Sequence, residues 1–156
     1  MRRFHDWYER VHPDLTQHGI WLRGGEINTL SPQEFERRDL RVLFVRLSTY
    51  DDTGYSFTHQ ILYQIAAGTE GVHPDLAYLP PARDAALFEA GGVPWLLGTQ
   101  TKLGPEAFDV VGFSNSIVQE LVNVPAMLER SGVPLSKRER LARPDVPLLL
   151  LGGANA

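Results

Sequence analysis

The chain of 156 residues contains no cysteine. That absence excludes a disulfide framework, a thiol nucleophile, thiolate zinc sites and any iron–sulfur cluster held by this chain alone. Long hydrophobic runs are lacking as well. No stretch approaches the roughly 20 apolar residues of a membrane span, and Phe4-His5-Asp6-Trp7-Tyr8-Glu9-Arg10 stands where a signal peptide needs continuous apolar residues. A soluble cytoplasmic protein with no membrane partner is expected. Basic residues are scarce in the middle of the chain: residues 47–132 hold Arg83, Lys102 and Arg130 against ten acidic side chains. A stretch of that sign repels a phosphate backbone, so nucleic acid is not an expected partner. No catalytic acid–base pair, nucleophile triad or metal-ligand cluster stands out, and the chain is not expected to be catalytic on its own.

What is present fits one domain, with 43% apolar and 22% charged residues. Residues 1–40 read as an N-terminal arm with short helices. Eight of the 15 basic residues fall within residues 1–46, interleaved with seven acidic ones, the pattern of a solvated arm packed across a domain. Ser31-Pro32-Gln33-Glu34 is a helix start, with serine as cap, proline at the first helical position and glutamate three residues after the cap.

From residue 41 the pattern alternates between strand and helix. Residues 41–47 are too continuously apolar for a half-wet strand and suit a buried parallel one. Residues 56–67 place Phe57, Ile61 and Ile65 on one helical face beside Leu62 and Ala66, and Gly68 ends the run. Residues 75–79 give a second strand, residues 82–90 a short helix, and residues 95–97 a brief extended piece. Residues 109–114 form the third main strand. A helix burying Ile117, Leu121, Val124 and Leu128 is expected next, kinked or restarted at Pro125, which has no backbone N–H to donate. Residues 146–151 read as a fourth buried strand. The expected fold is therefore α/β: an open, doubly wound, mainly parallel sheet of the Rossmann or flavodoxin kind. It lacks the further helix and fifth strand of such sheets. A four-leucine run is hazardous as an exposed edge, so the chain is expected to be a piece of something longer.

Ligands of such sheets bind at the carboxyl ends of the strands, which draws attention to three loops. The first holds Ser48, Thr49, Asp51, Thr53, Gly54 and Tyr55 and leads into a helix start, where free backbone amides can meet an oxygen-rich group. The second holds Ser114, Asn115 and Ser116, whose small polar side chains can bond a ring nitrogen or a ribose. The third, Gly152, Gly153 and Ala154, removes bulky side chains from the crossover. Each of these also has a plain structural use in capping helices or making turns.

The passages Phe108-Asp109-Val110-Val111-Gly112-Phe113-Ser114, Ala126-Met127-Leu128-Glu129-Arg130-Ser131-Gly132-Val133-Pro134-Leu135 and Pro147-Leu148-Leu149-Leu150-Leu151-Gly152-Gly153-Ala154 carry a resemblance. Over roughly residues 41–156 the chain resembles the cobalamin-binding domain of methionine synthase and methylmalonyl-coenzyme-A mutase. It is most similar to the N-terminal domain of cobalamin-dependent radical S-adenosylmethionine enzymes. The resemblance implies that the nucleotide tail of cobalamin enters between the loops, with Ser114, Asn115 or Ser116 at its benzimidazole and Gly152 and Gly153 giving it room. The Asp-x-His-x-x-Gly motif, whose histidine ligates cobalt in the synthase and mutase branches, is missing: the first loop offers Asp51 and Gly54 but no histidine. His59 on the following helix is expected to be an ordinary surface or packing residue. The implied function is to hold cobalamin without a protein histidine and present it to a radical-enzyme barrel domain in cis or in trans. The 4Fe–4S cluster and S-adenosylmethionine would belong to that other part, since the cluster's cysteines are absent here.

Two other classes stay open. Asp52-Thr53-Gly54-Tyr55-Ser56 partly matches the phosphate loop of a flavodoxin-like electron-transfer domain carrying flavin mononucleotide, but Asp51 and Asp52 would stand beside the flavin phosphate, where like charge is costly. A degenerate Rossmann-like module for protein interaction is the other. A receiver domain is disfavoured because Ser114 stands where the phosphoacceptor aspartate should end the third strand.

Overall fold

The computed structural model describes residues 4–25, 30–53 and 57–153. Its centre is a sheet of four parallel strands: β1 (Leu40–Arg46), β2 (Val72–Tyr78), β3 (Val110–Ser114) and β4 (Leu148–Gly152), in the order β2-β1-β3-β4. The α/β class and the parallel winding agree with the sequence pattern. The chain steps from β1 to β2 on one side and then returns past β1 to β3, so the strand order reverses between β1 and β3. Register places Arg46 opposite Ser114 at the carboxyl end of that reversal.

The second strand begins at Val72, three residues before the expected start, and takes in Pro74. Proline is tolerated because β2 is an edge, where only one side needs ladder donors.

The helices are α1 (His5–Val11), α2 (Ile20–Arg23), α3 (Tyr50–Thr53), α4 (Phe57–Ala67), α5 (Ala85–Gly91), α6 (Asn123–Glu129) and α7 (Lys137–Leu141). No helix among the described residues is long and apolar enough to cross a membrane. On one sheet face Leu43, Val45, Leu47, Ala77, Val111 and Phe113 pack with Phe35, Phe108, Met127 and Leu128. The other face is built largely by the arm: Phe4, Trp7, Tyr8, Leu15, Trp21 and Leu22 pack with Tyr63, Leu76, Tyr78 and Phe88. Within residues 4–22 the arm packed across the domain therefore contributes six side chains to the core. Mixed charge on the outer side of short helices conceals that from a composition count.

Three expectations about packing are corrected. The apolar stripe of α4 faces outward: Phe57 is 71% exposed and Ile65 64% exposed, and the buried face is His59 and Tyr63. Both buried side chains carry a polar tip that finds a main-chain partner, Tyr63 Oη accepting from Leu30 N at 3.2 Å and His59 Nε2 meeting Phe44 O at 3.0 Å. The expected helix over residues 116–128 is two pieces, a 3-10 turn at Val118–Val122 and α6. Ile117 is exposed, Leu121 and Val124 are half-buried, and Met127 and Leu128 enter the core. Pro125 falls in the first turn of the restarted helix, where an N–H would lack an intrahelical acceptor anyway. Finally, β4 is an exposed edge, not a buried strand, with Leu148, Leu150 and Leu151 about half exposed. Among the described residues it pairs only with β3, and a run of leucines does not distinguish an edge from an interior strand. Residues 95–97, expected to be extended, are in no strand, and Trp95 and Leu96 form a bend.

Two buried charges tie the arm to the sheet. Asp84 accepts from Thr16 N, Thr16 Oγ1 and Trp21 Nε1 at 3.0, 2.8 and 3.1 Å. Lys102 donates to the carbonyls of Leu22, at 2.8 Å, and Thr99, and lies 4.5 Å from the Tyr8 ring centre. Burial pulls its ammonium down to about 8, against the pull of Asp75. Asp75 shapes the loop that carries Lys102: its carboxylate accepts from Gln100 N at 3.1 Å, Thr101 N at 2.9 Å and Thr101 Oγ1 at 2.7 Å. Gly98 belongs to this cradle, since a Cβ there would run into the Asp75 carboxylate.

Replacing Asp75 by Ala strips these donors of their acceptor while leaving them buried, at about 1–3 kcal/mol for each group left unsatisfied. Asp75→Ala is expected to destabilise the fold by about 3 kcal/mol or more in urea unfolding; a loss within about 0.5 kcal/mol of zero would contradict this role.

Candidate functional site

The carboxyl ends of β1 and β3 meet where the strand order reverses, the place at which open α/β sheets receive ligands. Arg46, the last residue of β1, is 4% exposed there. Its Nη1 donates to Ser114 Oγ at 3.2 Å and Ser116 Oγ at 2.7 Å. Its Nη2 stands 3.6 Å from Glu120 Oε1. Glu120 also accepts the hydroxyl of Ser48 on Oε1 and the amides of Ser116 and Ile117 on Oε2, at 3.1 and 3.2 Å. Burial alone would raise the Glu120 carboxyl; the bonds from Ser48, Ser116 and Ile117 and the charge of Arg46 outweigh it and hold the group below its ordinary value. The carboxyl edge at the strand-order reversal thus carries a neutralised pair.

Ser48, Ser114 and Ser116 share this network. Asn115 and the glycines meet through the main chain instead. Asn115 is fully buried and its N–H donates to Gly152 O at 2.8 Å. Gly153, at φ +122, lies so close to Asn115 that a Cβ would collide with the Asn115 carbonyl oxygen. Its missing side chain therefore serves the approach of two loops. Gly152 differs, since a Cβ there would meet no atom within 4 Å.

Thr49 and Asp51 lie apart from the crevice. Thr49 Oγ1 and Asp52 Oδ2 are 2.7 Å apart at the start of α3, and Asp51 accepts from Gln17 of the arm at 3.0 Å. The cavity between this loop and Thr16, Gln17 and Trp21 holds only about 10 Å³. The side chain of Thr53 and residues Gly54, Tyr55 and Ala154 lie outside the described residues.

The principal additions to the sequence-derived set are Arg46 and Glu120. Their signals were present: Arg46 is a charge closing an apolar strand, and Glu120 stands three residues after Ile117, the spacing of a glutamate that reaches back to a helix-start amide. Ile117, Val118 and Val122 join them as exposed aliphatic side chains beside the network. A roomier cleft of about 640 Å³ lies at the amino ends of β3 and β4. Among its charges Arg130 pairs with Glu89 and Arg143 with Asp145, and it is remote from the reversal point.

No group of three or more metal-ligating side chains stands together among the described residues. His59 is 2% exposed, and its bond to the Phe44 carbonyl makes Nε2 the donor and leaves Nδ1 without a partner among the described residues. It is a packing histidine, standing edge-on to Tyr78 at 5.3 Å.

Compared with known proteins, residues 58–156 match the family described as "Radical SAM proteins, N-terminal". No curated protein and no solved structure matches the chain.

Burial pulls the His59 imidazole down to about 4, helped by the charge of Arg46 and opposed by the bond to Phe44. Between that value and the ordinary 6.5 the folded chain binds fewer protons than the unfolded one, so this stability is present above about pH 6.5 and lost as pH falls toward 4. Urea unfolding from pH 7 to pH 4 is expected to show a loss of roughly 3 kcal/mol from this group. His59→Gln should flatten that part of the profile, and an unchanged slope would assign the acid sensitivity elsewhere.

Proposed function

Because the chain belongs to the family of N-terminal domains of radical S-adenosylmethionine (SAM) proteins, we propose that it holds cobalamin at the carboxyl edge of its sheet and presents it to the radical-enzyme barrel. The observation that carries this reading is a neutralised charge pair at the strand-order reversal beside exposed aliphatic side chains. Arg46 is cancelled by Glu120, Ile117, Val118 and Val122 are exposed alongside, and the Cβ direction of Gly152 is open. Such a surface suits a large, weakly charged ligand held by apolar contact and a few neutral hydrogen bonds. A flavin phosphate bound through Asp52-Thr53-Gly54-Tyr55-Ser56 would instead stand beside the exposed Asp51 and Asp52, where like charge is costly.

Ser114, Ser116 and Gly152 are the residues that would hold the nucleotide tail. Gly152 gives it room, and Arg46 fixes the two serine oxygens. The buried His59 is already committed to the Phe44 carbonyl, so the reading assigns no protein imidazole to cobalt. Cobalamin, when bound, supplies a cobalt centre for methyl transfer or related radical chemistry. The 4Fe–4S cluster and S-adenosylmethionine are assigned to the barrel, since this chain has no cysteine.

The test is retention. The protein is mixed with hydroxocobalamin or with flavin mononucleotide, desalted and examined by absorption; the corrin is expected to stay and the flavin to wash out. Retained flavin without retained corrin would replace this reading with the electron-transfer one, and retention of neither would favour the interaction module. Gly152→Val is expected to weaken corrin binding at least about tenfold, roughly 1.4 kcal/mol, with little change in melting temperature because its Cβ meets open space. Paramagnetic resonance of the Co(II) form should show no axial nitrogen splitting.

A further inference from the structure

The carboxylate of Glu120 occupies a place built for an anion. Two main-chain amides, the Ser48 hydroxyl and the Arg46 guanidinium converge on it from β1, the loop after β1 and the loop after β3. Amides, a hydroxyl and a guanidinium are the donor set that recognises carboxylate and phosphate oxygens. The side chains are almost sealed, at 5% exposure for Arg46 and 8% for Glu120. The Arg46 Nε–H has no acceptor among the described residues, so the guanidinium retains unused donor capacity. Stability is a weak reason for the pair, because burying two charges costs about what their attraction returns. Its position, at the strand-order reversal, is a ligand position.

We propose that Arg46, Ser48 and the amides of Ser116 and Ile117 form an oxyanion-binding site, that Glu120 fills it as a tethered ligand, and that the crevice admits an external carboxylate or phosphate only when Glu120 is withdrawn. Glu120 is then the specificity-determining residue of the crevice. While it is seated, the mouth is neutral and anionic ligands are turned away. The inference stands whether or not the corrin binds, and its test contains no cobalamin.

The test is chemical rescue. Glu120→Ala leaves the donors around a space the size of a small anion, and its thermal unfolding is followed in formate, acetate or inorganic phosphate against chloride at equal ionic strength. At an anion concentration about ten times its dissociation constant, the folding equilibrium constant is expected to rise about elevenfold. Wild type should show no such anion-specific gain, nor should Arg46→Met combined with Glu120→Ala. Equal behaviour of Glu120→Ala in all four salts, or the same gain in the double variant or in wild type, would overturn the proposal.

If Glu120→Ala is unfolded in chloride, folding restored by formate is the same positive result. Should it stay unfolded in every salt, Glu120→Ser, whose short hydroxyl side chain leaves the site open, is titrated with phosphate. The Ser116 and Ile117 amide resonances are then expected to shift, and their staying in place at saturation would sink the idea.

Discussion

A guanidinium buried at the end of a central strand has to be met by acceptors, and much of the carboxyl edge of this domain is arranged to meet the one on Arg46. Ser114 lies opposite it in register, Ser116 follows two residues on, and Glu120 returns from the 3-10 turn to balance its charge. Glu120 in turn holds the amides that open that turn and the serine that leaves β1. One ion pair therefore joins two neighbouring strands and the segments leaving them, at the point where the winding of the sheet reverses. The interruption after β3 serves the same arrangement. The turn that carries Glu120 comes first, Asn123 then donates to Leu47 O at 2.8 Å, and α6 starts with Pro125 in its first turn.

The opposite edge is organised by a different constraint, the accommodation of the arm. Trp7 stands edge-on to Phe88 at 4.9 Å, and Trp21 stacks on the same ring at 5.8 Å. Asp84 and Lys102 supply the polar closure, one toward donors of the arm and the other toward its carbonyls. Burying a lysine is expensive unless its donors are used, and Lys102, held at φ +55, spends its charge on carbonyls and the Tyr8 ring. The result is a domain whose β2 side is sealed by its own first residues. On the β4 side, apolar surface is left open in a groove of about 520 Å³ lined by Phe113, Leu128, Leu149 and Leu151.

This distribution of surface belongs to a chain of the family of radical SAM N-terminal domains. The outer face of α4, which packs on β2 and β1, is apolar and open as well. The β4 side carries the edge strand, and exposed aliphatic residues stand beside the Arg46–Glu120 pair.

The alternation of apolar runs with amphipathic segments was enough to establish a parallel α/β sheet and to locate its strands to within a few residues, because strand period and crossover length are local properties of the chain. It was also enough to point at the three loops, since ligand position follows from the class of sheet. Which face each element turns inward was another matter. The stripe of Phe57, Ile61 and Ile65 is as apolar as a core face, yet α4 buries His59 and Tyr63, because main-chain acceptors and donors await those tips. The leucines of β4 read as interior, yet nothing among the described residues pairs with its outer edge. Gly152 and Gly153 are adjacent and chemically identical, and only the nearness of Asn115 separates the one that faces open space from the one that faces main chain. Arg46 and Glu120 are 74 residues apart, and no local pattern pairs them: strand order brings their charges together, and burial makes that meeting obligatory.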